Sequence, residues 1–222
     1  MIEDILDSEA KVGGWNLFRD KDGKTDPDIT AMALYALAHY KNRDGVKDAI
    51  DRGIQALSDI QLPSGGYETY NDENSESSAQ VIIALTTLGI DPMNDYRFVK
   101  TDASGKKNSV VDALLTYKAP SGGYKHIHSE TEANGMATDQ AMEALIAVKR
   151  FQEGRPALFD MKDVNIKTNM DSNIESFSDI SGNWAQDLIK LTNGYGIANN
   201  SSKFEPTKPI TRAEFAVGLV NG

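Results

Sequence analysis

A repeat constrains this chain more than any other feature. The segment from Ala56-Leu57 to Pro63-Ser64-Gly65-Gly66-Tyr67 aligns without gaps on the segment from Ala113-Leu114 to Pro120-Ser121-Gly122-Gly123-Tyr124. An earlier copy runs from Ile5-Leu6 to Gly13-Gly14-Trp15, and the first glycines of the three pairs stand 52 and then 57 residues apart. After each aromatic comes a polar loop and a second aligned stretch: Thr30, Ser78 and Thr138 each lie six residues before Ala36-Leu37, Ala84-Leu85 and Ala144-Leu145. A period of this length marks stacked supersecondary units, none of which buries its apolar face alone. The unit reads as helix, Gly-Gly-aromatic turn, loop, helix.

End signals support the helices. Asp26-Pro27 reads as N-cap and first helical residue, with Ile29, Ala33, Ala36, Leu37 and Tyr40 following at helical spacing. The next helix opens near Ser75, carries Val81, Ile82, Leu85 and Leu88, and stops at Gly89-Ile90-Asp91-Pro92. The last runs through Met142, Leu145, Ile146 and Val148 and ends before Gly154. Their alanines (Ala31, Ala33, Ala36, Ala141, Ala144, Ala147) let neighbours approach closely, which marks them as the inner helices. The glycine pairs supply φ > 0 where a helix turns into a loop, and Trp15, Tyr67 and Tyr124 read as packing residues at those turns. The expectation is six helices in three hairpins over residues 1–155, with the glycine pairs at equivalent turns on one rim and no paired strands.

Composition narrows the function classes. The net charge of −10 is acidic on both halves, which argues against nucleic acid or an anionic membrane as the main partner. The chain has no cysteine, hence no disulfide, thiolate metal site or cysteine nucleophile. No apolar run approaches the roughly 18 residues of a membrane span. Met1-Ile-Glu-Asp lacks the basic and apolar regions of a secretory leader, so a secreted protein is expected here as an internal piece.

Residues 1–160 resemble the α/α toroids of terpenoid cyclases and protein prenyltransferases. The elements that carry the resemblance are Asp26-Pro-Asp-Ile-Thr-Ala-Met-Ala-Leu, Gln61-Leu-Pro-Ser-Gly-Gly-Tyr, Asn74-Ser-Glu-Ser-Ser-Ala-Gln-Val-Ile-Ile-Ala-Leu, Leu88-Gly-Ile-Asp and Ala137-Thr-Asp-Gln-Ala-Met-Glu-Ala-Leu. The toroid domains of Gram-positive surface proteins, distant relatives of the vitamin B12 carriers of animals, are the most similar. The resemblance implies an all-α fold: a partial toroid of three helical hairpins, with a hydrophobic or corrinoid-like ligand and self-association through the open edges of the arc.

Cyclases of this type protonate an isoprenoid with a carboxylic acid set in an acidic cluster. Asp26 and Asp28 are the weak candidates here, but Ile29 and Thr30 leave the four-residue acidic motif incomplete. Carboxylates in a first helical turn also serve as a cap and favour the helix dipole, so no catalytic residue and no acidic pocket are expected. His126, His128, Glu130 and Glu132 are read as a solvated strand-like stretch rather than a metal site, and Asp20 to Asp26 as a surface turn without the EF-hand order. No cofactor is expected. The functional expectation is a non-catalytic cell-surface protein, the alternative a prenyltransferase-like or terpene cyclase-like enzyme.

Residues 161–176 lose periodicity and read as a linker. Residues 177–222 resemble a surface-layer-homology (SLH) domain, a small helical module of cell-wall-bound S-layer proteins, through Phe177-Ser-Asp179, Trp184-Ala185, Gly196-Ile197, Phe204-Glu-Pro206 and Ile210-Thr-Arg-Ala-Glu-Phe215. The turn before Phe204 is shorter than usual in that family, with Asn200 where glycine is common. Thr211 and Glu214 form a capping box, and Ile210 and Phe215 a hydrophobic staple. Arg212 at the first helical position gains nothing from the dipole, yet beside free N–H groups it makes an anion site. The family's ligand is an anionic, pyruvylated cell-wall polysaccharide, so Arg212 is a candidate contact. Trp184 is the second: it either stacks on a sugar or packs against Leu188 and Leu191.

Overall fold

The computed structural model describes residues 2–160, 162–163, 177–186, 188–190 and 203–208. The chain divides into two compact units, residues 1–163 and 164–222.

The first unit has six α-helices: α1 (Ile2–Asp7), α2 (Pro27–Leu37), α3 (Val46–Ile60), α4 (Ser75–Thr87), α5 (Val110–Leu115) and α6 (Gly135–Gln152). α4 lies between α2 and α6, α3 packs on α2, and α5 on α4. The alanine-rich helices therefore form the inner row. α4, flanked on both sides, buries Ala79 and every residue from Val81 to Thr86. α3 is two-faced, burying Val46, Ala49, Ile50, Gly53, Ile54 and Leu57. A Cβ on Gly53 would stand 2.9 Å from the Trp15 ring and 3.0 Å from Leu34. Only glycine lets α3 come that close to both.

The three turns share one hydrogen-bond scheme. Ala10, Leu62 and Ala119 each donate their N–H to the carbonyl of the second glycine (Gly14, Gly66, Gly123) and accept from the N–H of the first (Gly13, Gly65, Gly122), all at 2.9 to 3.0 Å. The N-cap of each inner helix, Asp26, Asn74 or Asn134, accepts helix N–H groups with its side chain. The same residue pairs along the backbone with Trp15, Tyr67 or Tyr124. The aromatics are buried. Trp15 Nε1–H donates to the Ile5 carbonyl and the Tyr67 hydroxyl to that of Leu57, ten residues upstream in both cases. Ile5 thus occupies the station of Leu57, which shifts the alignment of the first copy by one residue. Helix ends follow the glycine signals: after α4, Gly89 (φ 79°) and Ile90 donate back to Thr86 and Leu85 in a Schellman turn.

The fold is mostly helical but not all-α, and the expectation of no paired strands is corrected. β1 (Tyr67–Thr69) pairs antiparallel with β2 (Asp72–Asn74), and β3 (Val99–Thr101) with β4 (Lys107–Ser109). Loop length is the reason for the first ribbon. Only six residues separate Tyr67 from its N-cap Asn74, against ten and nine in the other copies. A six-residue return closes as two short strands around a two-residue tip. The tip residues Tyr70 and Asn71 take φ 55° and 69°, as this hairpin turn demands. In the second ribbon the Asp102 carboxylate accepts from the N–H groups of Ser104 and Lys106 and fixes the turn.

Of the expected linker only Lys162 and Asp163 are described, and the rest lies outside the described residues. Asp163 is tied to the helical unit by Arg150 at 2.5 Å and Arg155 at 2.6 Å. In the second unit Phe177, Ile180 and Ile189 form a small buried cluster with Ala185 against it.

Candidate functional site

In the helical unit the side chains that matter collect at the N-terminal ends of α2 and α4. Asp26 does what a cap does: its Oδ1 accepts the Ile29 N–H at 3.0 Å. Asp28, two residues on, does not. Its Oδ2 accepts from Thr69 Oγ1 of β1 at 3.2 Å and Ser77 Oγ of α4 at 3.1 Å, and the two hydroxyls are themselves 2.7 Å apart. Its Oδ1 is buried with no hydrogen-bond partner. Burial first, and the neighbouring Asp26 second, push the Asp28 carboxyl up to about 6, against the two hydroxyl hydrogen bonds, with Glu76 adding to the rise.

Asp26 is thus the cap of α2, while Asp28 in the same first turn is held by Thr69 and Ser77, with Asp26 and Glu76 as acidic neighbours. The physical cause is tertiary. β1 closes over the start of α2 and removes the water that would otherwise solvate Asp28. With Asp28 ionised both hydroxyls donate to Oδ2; with Oδ2 protonated it donates to one hydroxyl, which in turn donates to the other. The side chain can thus hold a proton up to about pH 6, on the Oδ2 that faces the two hydroxyls, while its Oδ1 is sealed in the packing.

The His126 to Glu132 stretch is half-buried to exposed, with an isolated antiparallel bridge from Ile127 to Asn74. It crosses the start of α4, where Ser75 donates its N–H to the His126 carbonyl and its hydroxyl to that of Lys125. His126 Nδ1 lies 2.8 Å from Glu76 Oε2, and Glu130 accepts the His126 N–H. His128 stacks instead on Tyr117, with ring centroids 4.0 Å apart. The two histidines are committed to different partners, and among the described residues no group of three or more His, Asp or Glu is placed to hold a metal ion. Tyr117, whose buried hydroxyl has no partner, is raised by burial and by Glu73 and Glu76. Farther along α4, Gln80 hydrogen-bonds Gln140 of α6 at 3.0 Å. Sequence reasoning missed Thr69, Ser77, Glu76 and Tyr117; the serine run Ser75, Ser77, Ser78 on a buried helix was the one available signal.

In the second unit two sequence motifs meet. The Asp179 carboxylate accepts the backbone N–H groups of Phe204 and Glu205 at 2.9 and 2.8 Å, and Phe177 packs on Phe204 with centroids 5.3 Å apart. The Phe204 N–H in first place holds the Asp179 carboxyl below its ordinary value. Phe-x-Asp and Phe-x-Pro are therefore one clasp: a carboxylate that pins a turn and a ring pair that covers it. Trp184 is 94% exposed, so packing on Leu188 does not account for it. Arg212, with Thr211, Glu214 and Phe215, lies outside the described residues.

No curated protein matches the chain. Residues 176–216 match the S-layer homology domain family. Such domains bind cell-wall polysaccharide, and this one supports a cell-surface protein anchored to the cell wall. Residues 176–216 are an S-layer homology domain, carried behind a helical unit that the match does not reach.

Proposed function

We propose that the chain is a non-catalytic surface protein of a Gram-positive bacterium. Its S-layer homology domain grips an anionic secondary cell-wall polysaccharide, and its helical unit is displayed as an arc of an α/α toroid. The arc binds a hydrophobic or corrinoid-like ligand, or acts as a scaffold that self-associates through its open edges. The family match carries the wall-binding half, and the Asp179 clasp together with an exposed Trp184 supports it. The three equivalent turns and the inner row of alanine-rich helices support the arc. The test is a pull-down with purified pyruvylated wall polymer across salt concentrations. Arg212→Ala is expected to lose binding and keep the fold. Thr211→Ala is expected to keep binding and lose about 1 kcal/mol of stability with its cap. Binding unchanged in Arg212→Ala removes that residue from the site.

One observation favours a second reading, an isoprenoid-type enzyme. Asp28 is a largely buried carboxyl whose pKa is raised to about 6, a step towards the protonated acid such chemistry needs. Turnover of a squalene-like or isoprenoid diphosphate substrate that disappears in Asp28→Asn would establish it; its sealed Oδ1 is the reason we rank it second.

A further inference from the structure

The helical unit holds a cleft beside the Asp28 cluster, sharing Asp26 and Thr69 with it, that wall binding does not use. It has a volume of about 870 Å³ and lies between the loop after Trp15, the end of α3 and the tip of the β1–β2 ribbon. Asp20, Asp22, Asp26, Asp59 and Glu68 line it, against Lys24 as the one lining cation among the described residues. Leu17, Phe18 and Tyr70 stand at the same cleft, 58%, 81% and 75% exposed. Folding does not account for them. Leu17 and Phe18 are adjacent in a loop and lie outside the buried core cluster. Tyr70 sits at φ 55° in a turn position where asparagine or glycine costs less. The Tyr70 ring is thus held in water at the tip of the ribbon, beside the carboxylates that line the same cleft.

We propose that this cleft binds a cationic peptide segment in which basic and aliphatic residues alternate. Carboxylates take the ammonium or guanidinium heads, while Phe18 and Tyr70 offer faces to the cations and to their apolar stems. Asp22 is paired with Lys11 and Asp26 caps α2, yet the lining keeps an acidic excess over Lys24 that a neutral glycan would leave unused. A single small amine would leave most of a cleft this size empty, since pockets of 300–1,000 Å³ accommodate drug-sized ligands. The acidic lining repels the anionic wall polymer, so this site is separate from the one on the S-layer homology domain.

The probe is a fluorescein-labelled heptapeptide of alternating lysine and leucine, titrated with the full chain by anisotropy at about 50 and about 300 mM salt. Tyr70→Asn suits the turn better than tyrosine, so it is expected to keep the circular dichroism and melting midpoint while weakening binding about threefold or more. Phe18→Ala, in an exposed loop, is expected to do the same and serves if Tyr70→Asn alters the fold. Asp59→Asn with Glu68→Gln is expected to weaken binding about tenfold and flatten its salt dependence. Glu132→Gln with Asp139→Asn makes the same charge change away from the cleft and is expected to leave binding intact. The proposal is overturned if the cleft variants bind like the parent or the distant pair weakens binding equally. Equal binding of a glutamate-leucine heptapeptide or of a neutral chitin hexasaccharide overturns it too.

Discussion

Asp28→Asn separates what the buried acid does for the fold from what it does as chemistry. A carboxyl lifted from its ordinary 3.8 to about 6 binds its proton more tightly in the folded than in the unfolded chain. Between those two values the native state carries the extra proton, so stability falls as pH rises through that window and levels off above it. The penalty at neutral pH is at most about 3 kcal/mol. Asparagine keeps the size of the side chain and an oxygen for Thr69 and Ser77, and it carries no charge to desolvate. The variant is therefore expected to gain stability over the parent at pH 7.5 and to lose the advantage near pH 4. For a unit of this size the gain is a shift in melting midpoint of roughly 6 to 12 °C if the penalty is fully realised. The assay is denaturant unfolding of the full chain followed by circular dichroism at several pH values, with the carboxyl resonance of Asp28 titrated beside it. A difference between parent and variant that is flat with pH, or an Asp28 resonance that titrates near 4, refutes the argument from burial.

The repeated turn offers an internal control. Thr30 Oγ1 accepts the Trp15 N–H at 2.8 Å and donates to the Trp15 carbonyl at 3.0 Å, while Ser78, its counterpart, makes no such bridge to Tyr67. Thr30→Val is expected to cost about 2 kcal/mol by stranding the buried Trp15 N–H, while the Trp15 carbonyl keeps the Asp26 N–H. Ser78→Ala should cost under about 1 kcal/mol, and equal losses in thermal melts would show that the bridge is not what holds the turn. In the second unit, Asp179→Ala is expected to lower the melting midpoint and uncouple the turn at Phe204, read from the amide shifts of Phe204 and Glu205. Because its carboxyl is held below the ordinary value, the stability from Asp179 is present at neutral pH and is lost as pH falls through that lowered value.

Much of the helical unit was legible because its signals are local. An N-cap, a left-handed glycine and an alanine stripe are all local signals, and Asp26, Gly89 and α6 follow them closely. The ribbons were not legible for the opposite reason. Thr69 and Asp72 pair only because the loop between Tyr67 and Asn74 is short, and a sequence of Glu, Thr, Tyr, Asn and Asp carries no strand alternation that would announce it. The one-residue slip at Ile5 had the same origin. An apolar pair aligns equally well in two registers until the Trp15 ring chooses the carbonyl it donates to.

The site was harder to read than the fold, and Asp28 shows why. In the sequence it is one of two acids around a proline, and the first turn of a helix explains both equally well. What distinguishes them is Thr69 and Ser77, 41 and 49 residues away. The charges on α2 are the same whether or not β1 covers them; the cover decides whether water or two hydroxyls solvate the carboxylate, and so whether the group is a cap or an acid. The Phe177-Ser-Asp179 motif is the reverse case. It was recognised as a pattern 25 residues from Phe204, and the structure supplies its reason: the carboxylate satisfies two backbone N–H groups of the turn at Phe204 and Glu205. A motif fixed by backbone needs can be read from a sequence, whereas a carboxylate made into an acid by the segment that happens to cover it cannot be read until that segment is placed.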